Sequence, residues 1–161
     1  SENYWGYRAI AALSANGVLN GYGGNRFLPE NGLTRAEFSA ILCRAMALDT
    51  AGKTSQAFCD VSGHWAEGSI AALFERGYIN GYADGTFRPN NSITRAEVAA
   101  VTCRLLERNA DQSYIRSHLS ELRAFTDVSE SHWAYWYTME AANGHDYTKS
   151  GSSETWSRTY R

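Results

Sequence analysis

The sequence predicts an all-α protein, and three observations carry that expectation. Apolar residues recur at three- and four-residue spacings, two T-R-A-E strings have the pattern of a helix start, and the chain repeats itself, so one helical unit implies the next. Of the 161 residues, 43 % are hydrophobic and 20 % charged, with only 2 prolines. That composition can build a core and is wrong for a disordered tail. The length suits one domain or a short array of small units.

Sliding the chain by 60 residues places Trp5 on Trp65, Leu13 on Leu73, Asn20-Gly21-Tyr22 on Asn80-Gly81-Tyr82 and Thr34-Arg35-Ala36-Glu37 on Thr94-Arg95-Ala96-Glu97. Positions 5–44 and 65–104 share 19 identities in 40 without a gap, which marks a duplication. A third, partial copy begins where Phe58-Cys59-Asp60-Val61 reappears as Phe125-Thr126-Asp127-Val128 and His64-Trp65-Ala66 as His132-Trp133-Ala134. It then diverges, with no later T-R-A-E and no G-Y-x-D-G-T-F. The first copy lacks the F-x-D-V opening. The expected organisation is one module: repeat one over 1–57, repeat two over 58–124, a partial third over 125–144, and a polar tail over 145–161.

Each unit reads as helix, tight loop, helix. In the second copy Trp65, Ile70, Leu73 and Phe74 predict a helix from about His64 to Arg76, stopped by Gly77. Tyr78 to Pro89 has the chemistry of consecutive turns. Thr94 followed by Glu97 is a capping box, so a second helix begins there. Val98, Val101 and Leu105 mark its buried stripe, as Phe38, Ile41, Leu42 and Ala45 do in the first copy. Tyr114, Ile115, Leu119 and Leu122 predict a short linking helix, and Met139 to Gly144 the end of another. The tail from His145 to Arg161, with Gly151 among serines and flanked by Tyr147 and Trp156, suits a loop or a small hairpin.

Composition excludes several functions. A formal charge of -2 withholds the overall phosphate attraction on which nucleic-acid binding relies, and no apolar run approaches the roughly 20 residues of a membrane-spanning helix. Cys43, Cys59 and Cys103 are odd in number, have no zinc-site spacing and read as small hydrophobes. No basic-then-apolar leader opens the sequence at Ser1 and Glu2, so either a mature product or a cut piece is expected. No catalytic constellation is present: Glu37 and Glu97 are occupied by their capping boxes, His64 and His132 lack partners at ligand spacing, and the loop around Asp84-Gly85 lacks the carboxylates of a calcium loop. Neither a metal nor a cofactor is expected.

The ordered motifs F-x-D-V-x-x-H-W-A (Phe58 to Ala66), G-Y-x-D-G-T-F-x-P (Gly81 to Pro89) and I-T-R-A-E (Ile93 to Glu97) make the chain resemble the S-layer homology family over about residues 1–144. The resemblance implies a three-repeat pseudo-trimer, with first helices in a central three-helix bundle and second helices in outer lobes. Grooves between lobes would hold secondary cell-wall polysaccharide, a peptidoglycan-linked glycan that often carries pyruvate ketals. It further implies a secreted, surface-bound, non-catalytic bacterial module. Because only two T-R-A-E segments exist, the groove needing a third lobe is expected to be missing or rebuilt by the tail.

An acidic glycan needs a cation for its carboxylate, amides or hydroxyls for its hydroxyls, and flat apolar surface for its rings. Arg35 and Arg95, at the first helical position after each cap, supply the cation, with structural pairing as the alternative. Trp5, Trp65 and Trp133 are candidates for ring stacking, although burial as core anchors is the preferred reading. Tyr22 and Tyr82 of the repeated Asn-Gly-Tyr join the set, as do Asp84, Gly85 and Thr86, whose alternative role is simply a turn. In the first copy those slots hold Gly24, Asn25 and Arg26, so the backbone shape can persist without the side chains. Asp60 and Asp127 are expected to brace the start of the first helix. The rival reading is a protein-interaction or self-association module, with Trp133, Tyr135, Trp136 and Tyr137 as an aromatic patch.

Overall fold

A computed structural model describes residues 3–160, so the chain opening at Ser1 and Glu2, on which the expectation about a leader rested, lies outside the described residues. Two compact units are present, Ser1–Ile93 and Thr94–Arg161. Their boundary falls inside repeat two, between its loop and its second helix.

The first unit contains α1 (Tyr7–Ala15), α2 (Arg35–Ala45) and α3 (Glu67–Glu75). The first helix of each repeat starts two residues after its tryptophan rather than at the histidine. His64 explains the delay, because its Nδ1 accepts the Ala66 N–H at 3.2 Å and so holds a turn before α3. α2 opens on the expected box: the Thr34 hydroxyl accepts from the Glu37 amide at 3.1 Å, and the Glu37 carboxylate accepts from the Thr34 amide at 2.8 Å. α2 packs on α3, burying Ala36, Ala40, Leu42 and Cys43 against Ile70, Ala71, Ala72 and Leu73. The buried stripe is therefore rotated from the expected one: Phe38 and Ile41 are half-buried and Ala45 is exposed, while small residues take the contact. The loop of repeat two is part of this unit. Phe58 meets Phe74 and Phe87 at ring-centroid distances of 4.9 and 5.4 Å. Asp60, expected at the helix start, instead accepts the Phe87 and Arg88 amides at 2.8 Å each and fastens the loop.

The second unit contains α4 (Arg95–Leu105), α5 (Gln112–Ser117), α6 (Tyr135–Ala142), β1 (Gly144–Ser150) and β2 (Ser153–Tyr160). α4 carries the second capping box and packs on α6. In both units, then, the second helix of one repeat lies on the first helix of the next.

The all-α expectation is overturned here. Helices hold about a third of the residues, and β1 and β2 form a two-stranded antiparallel sheet, so the fold is mixed. The hairpin closes through Gly151-Ser152, with Gly151 at φ 60, the conformation that two-residue hairpin turns require. A register shift follows Asp146. The sheet is held by more than pairing: Glu154 and Trp156 are buried on alternate positions of β2, and Trp156 joins Ile115, Leu122, Tyr135 and Met139 in one cluster. The tail is thus part of the core of its unit.

Candidate functional site

The two arginines that the repeat makes equivalent in sequence are not equivalent in structure. Arg35 is only 6 % exposed. Its Nε donates to the Phe87 carbonyl at 2.8 Å and its Nη2 to the Asn80 carbonyl at 3.2 Å. The guanidinium lies 4.4 Å from the ring centroid of Phe87 and 5.0 Å from that of Tyr82. The N–H groups of Arg35 and Ala36, which could greet an anion at the helix start, donate to the Asn91 and Pro89 carbonyls. The loop of the following repeat therefore covers this helix head. Arg95 is exposed, and nothing among the described residues bonds its side chain. The covering loop has no counterpart after the third copy, where the chain enters β1 instead.

Asp84, Gly85 and Thr86 form a self-contained turn. Asp84 Oδ1 accepts from the Thr86 hydroxyl at 2.6 Å and its amide at 3.0 Å, while Oδ2 pairs with Arg88 at 2.8 Å. These bonds from Thr86 and Arg88 hold the Asp84 carboxyl down at about 2. Gly85 has φ 77, and its carbonyl accepts from Cys59 at 3.0 Å. Tyr82 stacks beneath the Arg88 guanidinium at 4.1 Å. In the first copy Asn25 reaches φ 56 in Gly85's place, so the backbone shape is kept.

The tryptophans correct the core reading: Trp5 is 90 %, Trp65 64 % and Trp133 57 % exposed. Each stands just before its helix with its face available. His64 Nε2 meets Asn90 Oδ1 at 3.2 Å, and His132 Nδ1 accepts the Ala134 amide, so both histidines brace local structure.

One groove gathers several candidates. Trp65, Tyr22, Phe27, Leu28, Glu37 and Arg44 line a cleft of about 480 Å³ in the first unit. The Tyr22 hydroxyl donates to Glu37 Oε1 at 2.8 Å. Glu37 is partly desolvated, yet the bonds from Thr34 and Tyr22 keep its carboxyl below the usual range, so it stays ionised and occupied. Arg44 is exposed; its Nε donates to the Val18 carbonyl at 2.8 Å, leaving its terminal nitrogens for a guest. Sequence reasoning did not single out Arg44. The signal was present, since Arg44 and Arg104 are a repeated identity nine residues, about two and a half turns, beyond the Arg35 and Arg95 positions.

A further charged cluster in the second unit was not foreseen. Glu140, His145 and Glu154 bring one ligand-type atom each within 4.8 Å of one another. A guanidinium already sits among them: Arg108 Nη2 lies 2.8 Å from Glu140 Oε1 and 2.6 Å from His145 Nε2, and its Nε lies 3.0 Å from Glu154 Oε1. The His145 Nδ1 faces the Asn143 carbonyl at 2.7 Å, which fixes the tautomer that leaves Nε2 to accept from Arg108. Burial pushes Glu140 up to about 7, with Glu154 adding to the rise and Arg108 opposing it, and burial lowers His145. Glu140 Oε2 has no hydrogen bond. The cluster clamps the hairpin to α6 and to the segment that follows α4 through one cation shared by two carboxylates.

A capped helix that follows a tight loop, with an exposed tryptophan just before the first helix of each copy, is thus the repeated unit of the chain. The profile of the S-layer homology domain matches residues 1–39 and 57–99, about half of the chain, and the chain belongs to that family, whose place is the bacterial cell surface. Cell surface glycoprotein 1 of Acetivibrio thermocellus is 34 % identical over 157 residues, covering 91 % of this chain and 6 % of that protein. The cellulosome-anchoring protein of the same organism is 35 % identical over 152 residues, covering 91 % and 32 %. An endoglucanase of a Bacillus species is 33 % identical over 128 residues, covering 78 % and 13 %. The chain thus spans a third or less of each of these relatives.

Proposed function

We propose that this chain anchors a surface protein noncovalently, by taking an anionic, pyruvylated secondary cell-wall polysaccharide into the groove of the first unit. The observation that carries the reading is the convergence of Arg44, Tyr22 and the exposed Trp65 on one cleft. A guanidinium with open terminal nitrogens suits a ketal carboxylate, and the indole offers a pyranose face a flat apolar platform. Arg95, exposed at the head of α4, supplies a second cation for a long polymer, so weak contacts add through avidity. Arg35 is assigned a structural role, because its donors are spent on carbonyls. The relatives support an anchoring role: one is a cellulosome-anchoring protein, and the endoglucanase shares with this chain only 13 % of its own length.

The test is co-sedimentation with purified wall polymer before and after chemical removal of pyruvate. Binding should fall at least tenfold on the stripped polymer. Equal retention would show that the ketal carboxylate is not recognised.

A further inference from the structure

The head of α2 sits on the loop of repeat two. Besides the two bonds from the Arg35 guanidinium to the Phe87 and Asn80 carbonyls, the Arg35 and Ala36 amides donate to the Asn91 and Pro89 carbonyls at 2.9 Å each, and the Ile93 amide donates back to the Leu33 carbonyl at 2.9 Å. Arg35, Ala36, Phe87 and Pro89 are all buried there.

A second head and a second loop have no such partner among the described residues. α4 begins with the same Thr-Arg-Ala-Glu and the same capping box. Yet Arg95 is exposed and Ala96 half-buried, and neither their amides nor the Arg95 guanidinium donates a hydrogen bond among the described residues. The loop of repeat one is the matching half: Asn20, Tyr22, Phe27, Pro29 and Asn31 are identical, 60 positions earlier, to Asn80, Tyr82, Phe87, Pro89 and Asn91. Its backbone already has the receiving shape. Leu28 and Arg88 have φ 55 and 57, and the Asn31 amide closes on the Leu28 carbonyl at 3.0 Å as the Asn91 amide does on Arg88 at 3.1 Å. What the loop lacks is cover. Pro29 is exposed where Pro89 is buried, Phe27 is half-buried where Phe87 is buried, and among the described residues none of the Asn20, Phe27, Pro29 and Asn31 carbonyls accepts a hydrogen bond.

The two halves are complementary group by group. Four donors at the α4 head, two amides and two guanidinium nitrogens, match four carbonyls on the loop, and the positive helix end suits those oxygens. The Phe27 and Tyr22 rings offer Arg95 the faces that Phe87 and Tyr82 give Arg35. The molecule itself supplies the template, because the same helix start already holds the same loop residues once.

We infer that a second copy of this chain fills both halves: the head of α4 in one copy docks on the loop Asn20 to Asn31 of its neighbour and repeats between chains the contact that Arg35 makes within one. Each copy offers one head and one loop, so the assembly closes as a two-fold dimer with two junctions or continues as a short head-to-tail chain. Arg95 then has two uses, a polymer on the single chain and the neighbour's loop in the assembly.

The test is sedimentation equilibrium of the 161-residue chain from 5 to 500 µM without glycan, so its outcome is independent of the groove reading. The weight-average mass should rise with concentration toward a dimer or beyond. Arg95→Glu, on an exposed side chain, and Phe27→Ala, which removes the ring beneath the incoming guanidinium, should each weaken association roughly tenfold or more, with unchanged far-UV circular dichroism. Should Phe27→Ala lose its helical signal, Asn31→Trp at the exposed loop end takes its place as a steric block. Mixing the head variant with the loop variant should restore association above that of either alone, because one brings an intact loop and the other an intact head. Monomer mass throughout, wild-type association by Arg95→Glu, or a mixture no heavier than its components would each overturn the proposal.

Discussion

Arg35 Nε and the Phe87 carbonyl are 2.8 Å apart although 52 residues separate them in the chain. This bond joins repeat one to repeat two at a buried cation, which explains why a residue with the sequence position of a ligand-binding arginine acts as a strut. Arg35→Ala should leave the Phe87 and Asn80 carbonyls without these donors, at a cost of roughly 2–4 kcal/mol in urea denaturation. Arg35→Lys should recover less than half, because an ammonium cannot span two carbonyls and stack on two rings. Arg95→Ala should change stability by no more than about 0.5 kcal/mol. Equal losses at both positions would contradict the asymmetry.

The capping boxes predict a second pair. Glu97→Ala should cost about 0.5–2 kcal/mol, visible as a lower thermal midpoint. Glu37→Ala removes the acceptor of the Tyr22 hydroxyl as well, so its cost should include roughly 0.5–1.5 kcal/mol for that bond. An unchanged melt for either would remove its box from the stability account.

Glu140 gives the hairpin unit a pH dependence. Its carboxyl titrates near 7 when folded, against 4.5 ordinarily, with Arg108, His145 and Glu154 facing it. Burying the protonated form carries no charge penalty below the ordinary value, and the penalty grows as pH rises through about 7. His145, lowered by burial, works in the other direction: folding is penalised as pH falls below its ordinary value of 6.5. Glu140→Gln isolates the first effect. Between pH 5 and 8 the wild type should lose on the order of 2 kcal/mol relative to this variant. A pH-independent difference would contradict the assignment.

Thiol chemistry reports the fold independently. Cys59 is exposed, whereas Cys43 and Cys103 are buried, and burial raises both buried thiols, Cys103 to about 11. At pH 8 a chromogenic disulfide reagent should modify one thiol fast and two only upon unfolding. Three fast thiols would be inconsistent with the packing of α2 and α4.

Local signals were legible in the sequence and distant ones were not. Both T-R-A-E caps and the positive φ of Asn25 followed from residues within a few positions of one another, and the repeat from matching the chain to itself at an offset of 60. The fate of Arg35 did not, because it depends on a loop 52 residues on. Nor did the exposure of the tryptophans, since a helix-start indole has the same pattern whether a neighbour covers it or not. The hairpin carried one clear mark, the Gly151-Ser152 pair, but the core role of Trp156 depends on α5 and α6 reaching it. Arg44 was visible only as a repeated identity, whose importance came from the cleft beside it.

The anchoring account stands on the first-unit groove, and equilibrium binding of purified pyruvylated wall polymer to Arg44→Ala and Trp65→Ala tests it most directly. Each substitution is on an exposed side chain, so folding should survive. The account predicts at least a tenfold loss of affinity for each, with Arg35→Lys retaining affinity to the extent that it folds. Wild-type affinity in both groove variants would contradict it.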